Sequence, residues 1–366
     1  MKYAFTTSNP YTPTGYGGGN SIISGLALSL SRNNEVFIIA PGFSDEELKR
    51  FMRYDIVCLE DKMSIISIAK IIRKYKFDVI ISLTYESLKV GVLSRIFSFK
   101  SCVYIADPVI KNFSLFKLSG FKNARYFLGQ FQTFLAAKYF VNYIFVISDY
   151  TEKEIRENWE ISGKELNVIG CGLSQALLDA PFVSPKMEDG LLTIGRIEFN
   201  QKPVNILLNW IQKKEDVKLT IVGNGSDVVK LRKMIESANR SNKLSLLTEI
   251  IGDDVLELYN NCYCVILLSN VESFWITAYE AVARGRLLIV SDAADVKKNL
   301  GGLSTVYILA NHSMEELNRA FDWVGKISGL MDLNSNLNFN AERMKNYFHY
   351  GLVGNRLEKV IKAQRG

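Results

Sequence analysis

The sequence predicts an α/β protein: two parallel-sheet domains facing a central cleft. Short apolar runs recur along the chain, most of them separated by helical stretches of ten or more residues, which is the rhythm of βαβ units. A stretch with Pro181, Ser184, Pro185 and several charges, residues 174–190, interrupts that rhythm and reads as a linker. Glycines and charged residues follow the apolar runs, where open α/β sheets bind ligands at the carboxyl ends of their strands. Residues 1–173 therefore form a first Rossmann-like domain and 191–340 a second. Residues 341–366 form a last helix.

Composition narrows the function classes. The 366 residues suffice for two domains, and 48% apolar with 22% charged residues is ordinary for a globular protein. A net charge of +6 suits an anionic partner. No recognition motif or basic tail points to nucleic acid. Five Cys without zinc-type spacing argue for buried thiols in a reducing compartment, and His312 and His349 lie too far apart to suggest a metal site. Met1 to Phe5 leads directly into a strand, so no signal peptide is expected, and no apolar run reaches the roughly 18 residues of a membrane span. The expected location is cytoplasmic, peripheral to the inner face of the membrane.

In chain order, Tyr3–Thr7 is the first strand and runs into a loop containing Gly15, Gly17, Gly18 and Gly19, followed by a helix over about 20–32. Glycines there let backbone N–H groups approach an anion, or simply make a surface turn. Strands follow at Val36–Ile39, Ile56–Leu59, Val79–Leu83, Cys102–Ile105 and Ile144–Ile147. Asp107, in Ala106-Asp107-Pro108, ends the fifth strand and is open to two readings, a ligand contact or a helix cap. Residues 111–143 interleave Lys and Arg with many aromatics and contain no acid. They suit an anionic membrane surface or a long, mostly buried helix. Ser148 or Asp149 caps the next helix.

The second domain opens with Leu191–Ile194, a strand running into Gly195-Arg196, with Lys202-Pro203 starting a helix. Val217–Val222 ends in Gly223-Asn224-Gly225, and Leu246–Ile251 is a further strand. Cys264–Leu268 is a buried strand, and Glu272 falls in the loop beyond it. A helix N-terminus follows, and Glu280 sits about two turns along that helix. Leu287–Val290 is the next strand, and helices cover about 313–327 and 341–363, with a polar loop over 334–340.

Glu272 and Glu280, with Phe274, Trp275 and Ile276 between them, resemble the Glu-x7-Glu motif of retaining, nucleotide-sugar-dependent glycosyltransferases of the GT-B fold, family 4. The Gly-rich loop, Asp107-Pro108, Gly195-Arg196…Lys202 and Gly223 match that family's other segments in order. The resemblance implies that Glu272 lies near the donor sugar and that Glu280 bonds the nucleotide ribose. Arg196 and Lys202 would bind the leaving diphosphate. Amides of Phe274, Trp275 and Ile276 would contact sugar or diphosphate, and Gly17, Gly18, Gly19, Gly195 and Gly223 would line the donor site. Asp107 would contact donor sugar or acceptor. No metal and no tightly bound cofactor is implied; a UDP- or GDP-sugar is the donor, and a glycan or lipid-linked hydroxyl the acceptor. The chain departs from the family at Ala106, where a His is usual, at Trp275, where Gly is usual, and at Leu287, where Pro is usual. Those departures also suit a scaffold protein with a decayed site. An epimerase or phosphorolytic enzyme on the same fold is a further alternative.

Overall fold

The computed structural model describes residues 1–12, 18–106, 121–161, 163–214, 217–238, 243–248 and 254–363. The chain divides into two compact units, Met1–Gly172 with Tyr350–Gly366, and Leu173–His349. The first contains β1 (Lys2–Thr6), α1 (Gly18–Ser31), β2 (Glu35–Ala40), α2 (Asp45–Met52), β3 (Ile56–Glu60), α3 (Ile65–Tyr75) and β4 (Val79–Leu83). It continues with α4 (Ser87–Leu93), β5 (Lys100–Ile105), α5 (Phe121–Leu135), β6 (Tyr143–Val146), α6 (Asp149–Trp159) and β7 (Leu166–Val168). Its strands pair in parallel in the order β3-β2-β1-β4-β5-β6-β7. Ser148, not Asp149, caps α6: its hydroxyl accepts the Thr151 N–H at 3.2 Å.

The second unit contains α7 (Gln175–Asp179), β8 (Leu191–Ile194), α8 (Val204–Ile211), β9 (Leu219–Val222), α9 (Val228–Ser237), β10 (Leu244–Leu247) and α10 (Asp254–Asn260). There follow β11 (Cys264–Leu267), α11 (Ile276–Ala283), β12 (Leu287–Ser291), α12 (Ala294–Leu300), β13 (Val306–Leu309), α13 (Met314–Ser328) and α14 (Leu333–Tyr347). The sheet order is β10-β9-β8-β11-β12-β13, all parallel. Successive residues of β11 and β12 point to opposite faces. Cys264, Ile266, Leu287 and Ile289 enter one apolar cluster, while Val265, Leu267, Leu288 and Val290 enter another. A core on each face is why these strands read as unbroken apolar runs.

The carboxy-terminal region differs from the sequence expectation. Residues 334–340, expected as a loop, belong to α14. Leu333, Leu337, Asn340, Ala341 and Met344 lie along its buried face, and this packing outweighs the weak helix propensity of the Asn-rich segment. The single last helix expected over 341–363 is two: α14, and α15 (Tyr350–Ala363) in the first unit. α15 packs on α1 at glycines: a Cβ at Gly25 would overlap the Tyr350 ring, and one at Gly354 the Ser29 hydroxyl. Asn34 Nδ2 donates to Glu358 Oε1 at 2.8 Å across the same contact.

Within the second unit, residues 180–183 are pinned by two buried arginines that sequence reasoning passed over. Arg284 donates to the Ala180 and Pro181 carbonyls at 2.9 and 2.8 Å, and Arg286 donates to the carbonyls of Cys262 and Val183. Burial pushes the Arg286 guanidinium down to about 10, still charged at neutral pH. Among the described residues no helix is long and apolar enough to cross a membrane.

Candidate donor-binding site

In the second sheet the chain order reverses between β8 and β11, and ligands of open α/β sheets bind outside the carboxyl ends of strands at such a point. The loops leaving those two strands are tied together. Asn270 donates its N–H to the Gln201 carbonyl and its Nδ2 to the Asn200 carbonyl, both at 2.8 Å. The Ser269 hydroxyl donates to the Gln201 carbonyl at 3.3 Å. These bonds bring together two groups 70 positions apart in sequence: Lys202 Nζ lies 2.9 Å from Glu272 Oε1, with the side chains only 15% and 12% exposed. Gly195, Arg196, Lys202, Leu268 and Trp275 line one small recess, with Arg196 exposed at its edge.

The glycines of this region have a steric reason. Gly195 has φ +150° and Gly223 φ +146°. A Cβ on Gly223 would collide with the Gly195 carbonyl, and one on Gly225 with the Ile197 carbonyl. The turns after β8 and β9 therefore pack backbone to backbone, closed by Gly195 N–H to Val222 O and Ile197 N–H to Asn224 O, both 2.9 Å. Gly223 thus supports the turn that carries Gly195 and Arg196.

Beyond Glu272 the chain enters α11 at Trp275, which is 2% exposed. The Lys202 ammonium lies 5.3 Å from the centre of its ring. Asp295, at the start of α12, accepts the Trp275 N–H at 3.1 Å on Oδ2. The Tyr279 hydroxyl lies 3.2 Å from the same oxygen, and Phe274 stacks on the Tyr279 ring at 4.6 Å. Glu280 takes a different partner from Glu272: the Tyr259 hydroxyl donates to its Oε2 at 2.8 Å. Burial raises the Glu280 carboxyl above the ordinary range, and the Tyr259 bond partly opposes that. Tyr259 and Asp295 were not singled out from sequence, since neither sits in a recognisable motif.

A hydroxyl chain backs the loop after β11. The Ser269 N–H donates to Ser291 Oγ at 3.1 Å, and that oxygen lies 2.6 Å from His312 Nε2. Four of the five thiols are poor nucleophiles, because burial pushes Cys58 and Cys262 up to about 12 and raises Cys102 and Cys264 as well. Among the described residues no group of three His, Cys, Asp or Glu could hold a metal ion.

Residues 175–344 match the family model described as glycosyl transferases group 1. Solved structures resemble the chain over its length. A glycosyltransferase from Rickettsia africae ESF-5 is 17% identical, with 99% of this chain and 98% of that chain covered and a TM-score of 0.71. Sucrose-phosphate synthase from Thermosynechococcus elongatus is 14% identical, covering 100% and 99%, with a TM-score of 0.76. HepE from Anabaena, solved in complex with UDP-glucose, is 13% identical, covering 99% and 100%, also at 0.76. The fold is GT-B. No curated protein sequence matches the chain.

In this GT-B chain the residues singled out from sequence separate into three groups. Gly195, Arg196, Lys202, Glu272 and Trp275 gather at the ends of β8 and β11. Phe274, Ile276 and Glu280 lead into or lie on α11, and Gly223 buttresses the turn after β8. Gly18 and Gly19 begin α1 in the first unit, while Gly17 and Asp107 lie outside the described residues. Of residues 111–143, the backbone is described from Phe121. There Lys138 Nζ lies 5.2 Å from the Phe134 ring centre, and Leu128 and Tyr139 are exposed.

Proposed function

We propose that the chain is a retaining, metal-independent glycosyltransferase that moves a sugar from a nucleoside-diphosphate donor to a hydroxyl of a glycan or lipid-linked acceptor. The observation that carries this reading is the meeting of Arg196, Lys202 and Glu272 at the switch point of a sheet within the group 1 match. Breaking a sugar–phosphate bond builds negative charge on the departing diphosphate. Two cations held beside it stabilise that charge without a metal, and water exclusion strengthens their effect. Lys202 is held at the recess by Glu272 before any donor arrives, so part of the ordering is complete in advance.

In this reading Glu280 accepts from the nucleotide ribose while Tyr259 orients its carboxylate. Glu272 contacts the donor sugar, and amides of Phe274 and Ile276 face sugar or diphosphate, the Trp275 amide expected to join them being taken by Asp295. Gly17, Gly18, Gly19 and Asp107 are the residues of the first unit to which the resemblance gives a donor or acceptor contact. UDP- or GDP-sugars are the donors to try first; HepE and its UDP-glucose complex are a precedent in the same fold. Residues 111–143, basic and aromatic, are the segment through which the enzyme would contact an anionic membrane at the cytoplasmic face, where a lipid-linked acceptor is presented.

A scaffold with a decayed site is favoured by Ala106, Trp275 and Leu287 in place of the family's usual residues. The test is nucleoside-diphosphate release from UDP-, GDP-, ADP- and dTDP-sugars, with glycan and lipid-linked acceptors, and anomeric assignment of any product by NMR. The proposal expects release with one donor, stimulated by an acceptor, and a product that keeps the donor's anomeric configuration. Binding without turnover would favour the scaffold, and an inverted product would refute retention.

A further inference from the structure

The residue at position 275 stands where the resembled family usually has glycine, and its surroundings give the indole something to do. Trp275 is 2% exposed and lines the same recess as Lys202. The Lys202 ammonium lies 5.3 Å from its ring centre, within the roughly 6 Å over which a ring face attracts a cation. On another side the ammonium meets Glu272 Oε1 at 2.9 Å. A third side is the Gly195 backbone, where a Cβ would come within 3.1 Å of Nζ. A lysine stem has four rotatable bonds and a strongly hydrated head, so holding its head in one place takes surrounding groups of this kind.

The main chain that carries the indole is itself fixed. Asp295 is 5% exposed, and its Oδ2 accepts the backbone N–H of Trp275 at 3.1 Å, so the bond fixes the main chain from which the ring projects and not the indole Nε1. That oxygen also lies 3.2 Å from the Tyr279 hydroxyl, to which Asn299 Nδ2 donates at 2.8 Å. Trp275 enters α11 without a side-chain cap of its own, and the Asp295 carboxylate, from a neighbouring helix, satisfies the N–H of this opening residue. The N-terminal ends of α11 and α12 are joined through one carboxylate.

The geometry points to Trp275 and Asp295 as positioning residues: Asp295 seats the Trp275 main chain at the start of α11, and the indole face with Glu272 holds the Lys202 ammonium where a nucleoside diphosphate is received. The inference rests on the transferase reading and deepens it. It accounts for a bulky residue at a glycine position: the chain exchanges room in the recess for a fixed cation. Neither side chain touches the diphosphate, since both act through Lys202, and the Trp275 amide is occupied by Asp295.

Two measurements on the full chain test it. The first needs no ligand: NMR of protein carrying lysine labelled with ¹³C at Cε, with the Lys202 signal assigned by its loss in Lys202→Arg. The Lys202 methylene protons are expected upfield of ordinary lysines through the indole ring current. They should return to the ordinary position in Trp275→Ala and Asp295→Ala and stay shifted in Trp275→Phe and Asp295→Asn, which keep a ring and an acceptor. The second is calorimetry with UDP, GDP, ADP and dTDP. Trp275→Ala and Lys202→Met should each weaken the preferred nucleotide about tenfold, the double variant no more than the worse single one, and Trp275→Phe should restore most of the loss.

No upfield signal in the wild type, or losses that add in the double variant, would overturn the inference. Unchanged binding by Trp275→Ala would overturn it while leaving the transferase reading standing. A wild type that shows the shifted lysine but binds none of the four nucleotides would overturn the transferase reading, and with it the diphosphate role assigned here.

Discussion

The turn after β1 and the turn after β8 hold the same place in their sheets, each leaving a central strand beside the point where strand order reverses. One glycine near each turn differs in its room for a side chain. Gly18, beyond β1, is exposed and a Cβ there would meet nothing within 4 Å. Gly223, beside the β8 turn, has no room for a Cβ against the Gly195 carbonyl. The strand ends differ chemically too. Thr6 and Ser82 share a neutral hydrogen bond of 2.9 Å across β1 and β4, whereas Lys202 and Glu272 form an ion pair across the loops after β8 and β11. Sheet topology sets where a ligand can sit, and tight turns with charged side chains set whether that place has chemistry.

The comparison breaks most visibly at the glycines. Gly223→Ala should destabilise the second unit by about 3 kcal/mol or more, read by urea unfolding, because both its φ and the facing carbonyl must shift. Lys202→Met should cost about 1–3 kcal/mol by leaving a mostly buried Glu272 carboxylate unpaired. Lys202→Met with Glu272→Gln should recover part of that stability without recovering nucleotide binding.

Glu280 makes the stability of the second unit depend on pH. Its carboxyl is raised by burial in the folded chain, so the native state keeps the proton over an interval in which the unfolded chain has lost it. Stability therefore falls as pH rises from the ordinary glutamate value through the raised one. Glu280→Gln should match the wild type in urea midpoint near pH 4 and exceed it near pH 8. The smallest effect is expected in the first unit: Gly18→Ala should change stability by less than about 0.5 kcal/mol.

What the sequence reveals depends on the range of the interaction. Cys264–Leu267 and Leu287–Val290 are legible as strands because a parallel strand covered on both faces is apolar along its length. Gly195-Arg196, Lys202 and Glu272 are legible through spacing in a resembled motif. The pairing of Lys202 with Glu272 is not, since it depends on Asn270 and Ser269 bonding to carbonyls 70 and 68 positions away. Asp295 and Tyr259 are hidden for the same reason: an Asp in a helix's first turn and a Tyr on a helix look ordinary until the helices pack. Residues 334–340 misled because asparagine reads as loop, while the apolar face of α14 lies in only a few of its positions.

The central claim is that the crevice at β8 and β11 receives a nucleoside-diphosphate sugar. Calorimetric titration of UDP-, GDP-, ADP- and dTDP-sugars into the wild type, Arg196→Ala and Glu280→Ala tests it most directly. The account predicts selective binding of one donor, weakened about tenfold or more in each variant. A wild type that binds none of the four, or variants that bind as well as the wild type, would contradict it.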